Sequence, residues 1–180
     1  YNVPVPPEGR VTAPVTPGVV GALRGEKNIV GIKDSTARLE NITAYQEARQ
    51  DFQVLLGSDH VIAGGLALGA VGSITACGNV FPSAVLQVYA PQPGTEREKA
   101  QAELSLLRGV LESVPGKAVA IQKLLLDILG VVEAASPVRD AAKQLTDAER
   151  ELILTLLSGL TAKLTLNQEI ATQIKARLRS

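Results

Sequence analysis

Asn28-Ile29-Val30-Gly31-Ile32-Lys33 is a short apolar run, rich in β-branched residues, that ends on a lysine. Two further runs share its character: Phe52-Gln53-Val54-Leu55-Leu56-Gly57 and Ala70-Val71-Gly72-Ser73-Ile74-Thr75. Each is continuously rather than alternately apolar, which suits strands buried on both faces of a parallel sheet. Between the first two, Leu39, Ile42, Tyr45 and Ala48 recur at a spacing of three and predict a helix with one apolar stripe. Residues 61–68 form a shorter apolar segment in which Gly64-Gly65 permits close packing. This alternation predicts βα units joined by right-handed crossovers, an α/β fold.

Outward from this centre the pattern changes. Residues 1–17 carry five of the ten prolines, and proline neither donates to a ladder nor continues a helix, so the stretch reads as an extended loop. From Phe81 onward only helices are expected. Residues 83–89 form a short one. Thr95-Glu96-Arg97-Glu98 has capping-box spacing ahead of a helix reaching about Leu111. Residues 117–129 form another, closed by Gly130 as a left-handed cap. Thr146-Asp147-Ala148-Glu149 is a second capping box, with Leu145 placed to staple the first turn of a helix running to Leu157 or beyond. Residues 168–179 end in basic side chains that suit the helix dipole.

The composition is that of a globular protein: 180 residues, 46% apolar, with 18 basic residues against 18 acidic. Zero net charge gives no electrostatic case for nucleic acid or an anionic membrane surface as partner. No apolar stretch approaches the roughly 20 residues of a spanning helix. One cysteine, Cys77, excludes an internal disulfide and fits a cytoplasmic location. There is no methionine and the chain begins at Tyr1, so the sequence is expected to be a processed or truncated piece of a longer one.

Two positions carry candidate chemistry. Lys33 closes a buried strand, where desolvation favours the neutral amine, a nucleophile for carbonyl carbon. Its bland alternative, a strand-end lysine whose head snorkels into water, is favoured by this feature taken alone. Tyr1, in Tyr1-Asn2-Val3-Pro4, is a packed loop aromatic or a phenol able to relay protons beside such an amine. Other polar residues read as structural. His60 is a partly exposed helix-start side chain and Cys77 a small buried hydrophobe. Asp34 and Asp59 are helix-start or loop residues. Gly64, Gly65 and Gly69 lack the context of a phosphate loop.

Taken together, Tyr1-Asn2-Val3-Pro4, Asn28 to Ser35 (Asn-Ile-Val-Gly-Ile-Lys-Asp-Ser), Leu56-Gly57-Ser58-Asp59, and Leu66-Ala67-Leu68-Gly69-Ala70-Val71-Gly72 through Asn79-Val80 resemble one family. It is that of dihydrodipicolinate synthase and N-acetylneuraminate lyase, the Schiff-base aldolases. The resemblance runs to about Leu157; the stretch 161–180 looks like an extension without a clear counterpart. It implies the C-terminal portion of a (β/α)8 barrel over residues 1–90, a C-terminal helical region over 91–160 and a helical extension over 161–180. It implies that Lys33 attacks the ketone of pyruvate or another 2-oxo acid and that Tyr1 moves protons. Substrate contacts are implied for Ser35 and Arg10, and for the backbone near Gly57 and Ile74. Neither metal nor cofactor is called for, and one histidine with one cysteine is too few for a side-chain zinc site. Family members assemble as dimers or tetramers of dimers, so a homo-oligomer is expected.

Within the family, Lys33-Asp34-Ser35 and the run from Asp51 to Ser58 look more like 4-hydroxy-2-oxoglutarate aldolases. Dihydrodipicolinate synthases, which condense pyruvate with aspartate semialdehyde in lysine biosynthesis, carry an arginine soon after the Tyr-Asn-Val-Pro motif. Pro6 stands at that offset here, and Arg10 follows a short insertion, which leaves its carboxylate-binding role open. A closed barrel of this kind needs about 250 residues. The chain supplies three clear strands plus the end of a fourth at Tyr1 and lacks the family's Gly-Thr-Thr loop, so it is expected either to be part of a longer polypeptide or to self-associate, and as an isolated fragment to lack efficient catalysis. A non-catalytic half-barrel assembly module is the reading from another class.

Overall fold

The structure, a computed structural model, describes residue 2 and residues 13–90, 94–132 and 136–178. The chain divides into two units, residues 1–75 and 76–180.

The first unit is built around three parallel strands in the order β1-β2-β3: β1 (Gly31–Asp34), β2 (Gln53–Leu56) and β3 (Gly72–Ser73). Gly31 pairs with Gln53, Lys33 with Leu55 and Asp34 with Leu56; Leu55 and Leu56 pair in turn with Gly72 and Ser73. Only two residues of the third apolar run meet strand geometry, although Val71 and Ile74 extend the contact by donating to the carbonyls of Val54 and Leu56. Of the connecting helices, α2 (Glu40–Ala48) falls where periodicity predicts it, and α3 (Ile62–Ala67) falls within the short apolar segment 61–68. An unexpected helix, α1 (Pro17–Ala22), opens where the proline-rich loop was expected to end. Pro17 sits at the first helical position, where a missing N–H costs nothing, and the Thr16 side chain accepts from the Val19 N–H.

One face of the sheet carries the core. Ile32, Val54 and Leu56 are buried on it, alternating with Lys33 and Leu55 on the other face. The glycines bring α3 close to its neighbours: a Cβ at Gly65 would fall onto the Leu56 side chain, and one at Gly64 would meet Leu39 Cδ1 at 2.9 Å. Tyr45 meets Phe52 edge-on with ring centroids 6.4 Å apart. The Arg49 guanidinium, also buried, reaches the carbonyls of Ile29 (2.7 Å) and Leu23 (3.3 Å) and pairs with both Asp51 oxygens. It thereby ties the approach to β1 to the turn before β2.

The second unit contains α4 (Cys77–Val80), α5 (Pro82–Tyr89), α6 (Gly94–Leu111), α7 (Ala118–Ile128), α8 (Asp147–Leu160) and α9 (Gln168–Arg177). Among the described residues, Phe81, Leu104, Leu107, Leu111, Ile121, Leu125, Ile153, Leu157 and Ile174 are its fully buried large side chains. Two of the three sequence-level end signals act as expected. Thr146 and Glu149 form the reciprocal capping box of α8, and Glu149 also takes both bonds from Lys117 Nζ at 2.8 Å. After α7, Gly130 has φ +70° and bonds to the Asp127 carbonyl while Val131 bonds to that of Leu126. This is the paired arrangement of a left-handed helix stop. The third signal fails: α6 already includes Gly94, so Thr95 lies inside the helix rather than at its cap. Among the described residues no helix is long and apolar enough to cross a membrane.

Candidate active site

The parallel register brings four of the six candidate residues to one end of the sheet. Lys33 stands in one row with Leu55 and Gly72. One step beyond the row Asp34–Leu56–Ser73, the Gly57 N–H donates to the Asp34 carbonyl at 2.7 Å and the Ile74 N–H to the Leu56 carbonyl at 2.8 Å. Ser35, Gly57 and Ile74 are therefore neighbouring strand ends, on the same side of the pleat as Lys33. Lys33 and Ser35 are half-buried, and Ile74 is 55% exposed. The Ser35 side chain occupies the space above Gly57: a Cβ added there would fall onto Ser35 Oγ. Tyr1 and Arg10 lie outside the described residues.

Behind this face lies a polar cluster that the sequence reading missed. Asp34 is the last residue of β1 rather than a loop or helix-start residue, and its carboxylate is buried. Oδ1 accepts from the Thr36 N–H (2.8 Å) and from Asn2 Nδ2 (3.3 Å), and Oδ2 from Asn41 Nδ2 (2.7 Å). Asn2 Nδ2 also donates to the Tyr45 hydroxyl (3.2 Å), which in turn donates to the Val15 carbonyl (2.8 Å). Burial, and secondarily the charge of Asp34, raise the Tyr45 phenol above its usual range, against the opposing bond from Asn2. Two signals could have exposed the cluster. A tyrosine within an apolar stripe needs a partner for its hydroxyl, and Asp34-Ser35-Thr36 has the spacing by which an aspartate accepts from the backbone two residues on.

Of the set-aside residues, His60 is exposed and Cys77 buried, as read. Asp59 begins a 3-10 turn, as read, but is fully buried. Among the described residues no group of three or more His, Cys, Asp or Glu is placed to hold a metal ion.

The turn leaving β1 carries strain. Ala37 has φ +60°, in the left-handed region that a Cβ disfavours. Ala37→Gly is expected to stabilise the chain by about 0.5–1 kcal/mol, read as a higher urea midpoint. An unchanged or lower midpoint would show that the turn relaxes around the alanine at no cost.

A half-buried lysine on the exposed side of a parallel βα sheet, level with neighbouring strand ends, is the layout of active sites at the C-terminal face of α/β barrels. The model of the dihydrodipicolinate synthetase family matches residues 1–157, and the chain belongs to that family. It is 32% identical over 164 residues to the 4-hydroxy-tetrahydrodipicolinate synthase of Methanospirillum hungatei, an alignment covering 85% of this chain and 53% of that protein. Dihydrodipicolinate synthase of Thermotoga maritima superposes with a TM-score of 0.68 at 25% identity, covering 88% of this chain and 54% of its own. The 2-keto-3-deoxygluconate aldolase of Sulfolobus solfataricus shares the fold at 20% identity, with a TM-score of 0.72 over 88% and 53% of the two chains. The fold is thus the C-terminal portion of a (β/α)8 barrel followed by helices. The chain spans about half the length of the curated relatives it matches.

Proposed function

We propose that the chain carries the lysine half-site of a Schiff-base aldolase or synthase acting on pyruvate or a related 2-oxo acid. The observation that carries this reading is the register that gathers Lys33, Ser35, Gly57 and Ile74 at one end and on one face of the parallel sheet. The Lys33 amine adds to the C2 carbonyl, and loss of water leaves an iminium. In the cleavage direction the C3–C4 bond breaks, its electron pair passes into the enamine, and a base takes the proton of the C4 hydroxyl. Protonation at C3 and hydrolysis of the imine release the 2-oxo acid and the free lysine. In the condensing direction the enamine carbon attacks an aldehyde instead. Tyr1 is the proton carrier in this reading. The Ser35 hydroxyl and the backbone at Gly57 and Ile74 contact the substrate, and Arg10 binds its carboxylate.

Ser35, on the lysine side of the sheet against Gly57, favours a 4-hydroxy-2-oxoglutarate aldolase-like reaction. The curated relatives named 4-hydroxy-tetrahydrodipicolinate synthase favour the second pairing, pyruvate with aspartate semialdehyde. Homo-oligomeric assembly belongs to the same reading.

The test is borohydride trapping with pyruvate, read by peptide mass spectrometry, on the chain alone and with a complementary N-terminal barrel half supplied. A reduced adduct on the Lys33 peptide, absent in Lys33→Ala, is the expected result. Trapping only with the added half identifies the chain as an inactive piece of an authentic site. No adduct in either case overturns the reading and leaves a non-catalytic half-barrel. Product analysis with the two substrate pairs then separates aldolase from synthase.

A further inference from the structure

Asp34 points away from Lys33, to the opposite side of β1, yet everything it holds bears on the lysine. Asn2 donates its backbone N–H to the Lys33 carbonyl (2.9 Å) and accepts from the Ser35 N–H (3.0 Å). It thus pairs in parallel with Asp34 and brackets it on both sides. Asn2 is 3% exposed, and its side chain is held by Asp34, Tyr45 and the Val15 N–H (3.3 Å). On the other side, Asp34 takes the Thr36 N–H directly and Asn41 Nδ2, which also reaches Thr36 Oγ1 at 3.0 Å. The Asp34 carboxylate is therefore the common acceptor for the segment before the sheet, the turn after β1 and the first turn of α2.

We infer that Asp34 is a positioning residue for the lysine site: through Asn2 and Thr36 it sets the backbone on both sides of Lys33 and Ser35. The inference rests on the Schiff-base reading for its catalytic consequence, but its structural part stands on the hydrogen bonds alone. Three donors converge on the group, so an acceptor-only side chain is required. An amide in its place would turn one NH2 toward the NH2 of part-buried Asn41, so either two donors face each other or the Asn41 amide flips and gives up its bond to Thr36 Oγ1.

That chemistry supplies a reversal test. In Asp34→Asn the clash of donors is expected to release Asn2. With Asn41→Asp added, the donor and acceptor exchange places: the new amide keeps an oxygen for Thr36 and Asn2 and donates to the new carboxylate, while the Thr36 hydroxyl turns to donate to it. Amide hydrogen exchange reads the geometry without reference to activity. In Asp34→Asn, the Asn2 and Ser35 amides are expected to exchange at least about tenfold faster while those of Val71 and Ile74 hold their rates. Pyruvate trapping per folded molecule is expected to fall by a similar factor, and the double variant to recover both. Should Asp34→Asn not fold, the double variant decides: folding with slow exchange at Asn2 and Ser35 supports the role. Unchanged exchange in Asp34→Asn, or a folded double variant whose Asn2 and Ser35 amides stay fast, overturns it. Changed exchange with unchanged trapping overturns the link to the lysine. A wild-type chain that traps no pyruvate sinks the Schiff-base reading, and the exchange comparison still decides whether Asp34 sets this backbone.

Discussion

Glu103→Ala is expected to lower the stability of the helical unit by about 3 kcal/mol. Glu103 is a charged residue within α6, 5% exposed, and its carboxylate takes five hydrogen bonds from three consecutive residues. Oε1 accepts from the Thr165 N–H (2.7 Å), the Thr165 hydroxyl (2.6 Å) and the Leu166 N–H (2.8 Å); Oε2 accepts from the Asn167 N–H (3.0 Å) and Asn167 Nδ2 (2.8 Å). Those residues lead directly into α9, so one side chain of α6 seats the entry to the closing helix. Truncation would strand those donors, at a cost larger than the net worth of any one bond. Gln87 of α5 gives a second tie, to the Leu166 carbonyl at 2.8 Å, so α9 is expected to loosen rather than detach. Burial by itself would raise the Glu103 carboxyl, yet the bonds from Thr165, Leu166 and Asn167 hold it below the ordinary 4.5. A depressed folded pKa makes its contribution full above the unfolded value and lost as pH falls through the folded one. The wild type should therefore lose stability on acidification through and below that range, and Glu103→Ala should lose less over the same interval. Urea unfolding between about pH 3 and 7 checks both statements. Parallel pH profiles for the two chains would show that Glu103 does not anchor α9 as a carboxylate.

Gly57→Ala is expected to remove pyruvate trapping while costing about 1–3 kcal/mol of stability. A Cβ at Gly57 would overlap Ser35 Oγ and lie 2.8 Å from both Cα and Cβ of Ser35. One of the three contacts is backbone, which a rotamer change cannot relieve. The strand ends of β1 and β2 must then part where Gly57 donates to the Asp34 carbonyl at 2.7 Å. The displacement falls on the row holding Ser35, Gly57 and Ile74, so chemistry should suffer more than folding. Adding Ser35→Gly clears two of the three contacts and is expected to recover stability in part, without restoring a hydroxyl to the site. Trapping per folded molecule, measured beside the urea midpoint, separates the two effects. Undiminished trapping in a folded Gly57→Ala chain would remove the strand-end row from the proposed site.

Much of this was legible along the chain. The apolar, β-branched runs located all three strands, but the expectation that both faces are buried does not hold: Ile32, Val54 and Leu56 are covered, whereas Gln53 is exposed and Lys33 and Leu55 are half-buried. The strand ends were read less well: β1 extends to Asp34, since Asp34 pairs with Leu56, and β3 keeps only Gly72 and Ser73. Gly130 and the Thr146–Glu149 box declared helix ends because those devices act within four or five residues. Thr95 carried the same spacing and was overruled, since α6 begins upstream of it at Gly94.

By itself the sequence determined the α/β class, the order of the three strands with the helices other than α1 and α4, and the presence of a lysine at a strand end. These follow from periodicity and from local backbone chemistry, which are properties of neighbours in the chain. Only the tertiary structure decided that Ser35, Gly57 and Ile74 form one row beside Lys33, that Asn2 brackets Asp34 across 32 residues, and that Glu103 receives donors 62 to 64 residues away. A side chain's spacing does not reveal which distant donors will share its burial. That is settled when strands pair in register and helices close over them, and a buried carboxylate must then find partners for its oxygens.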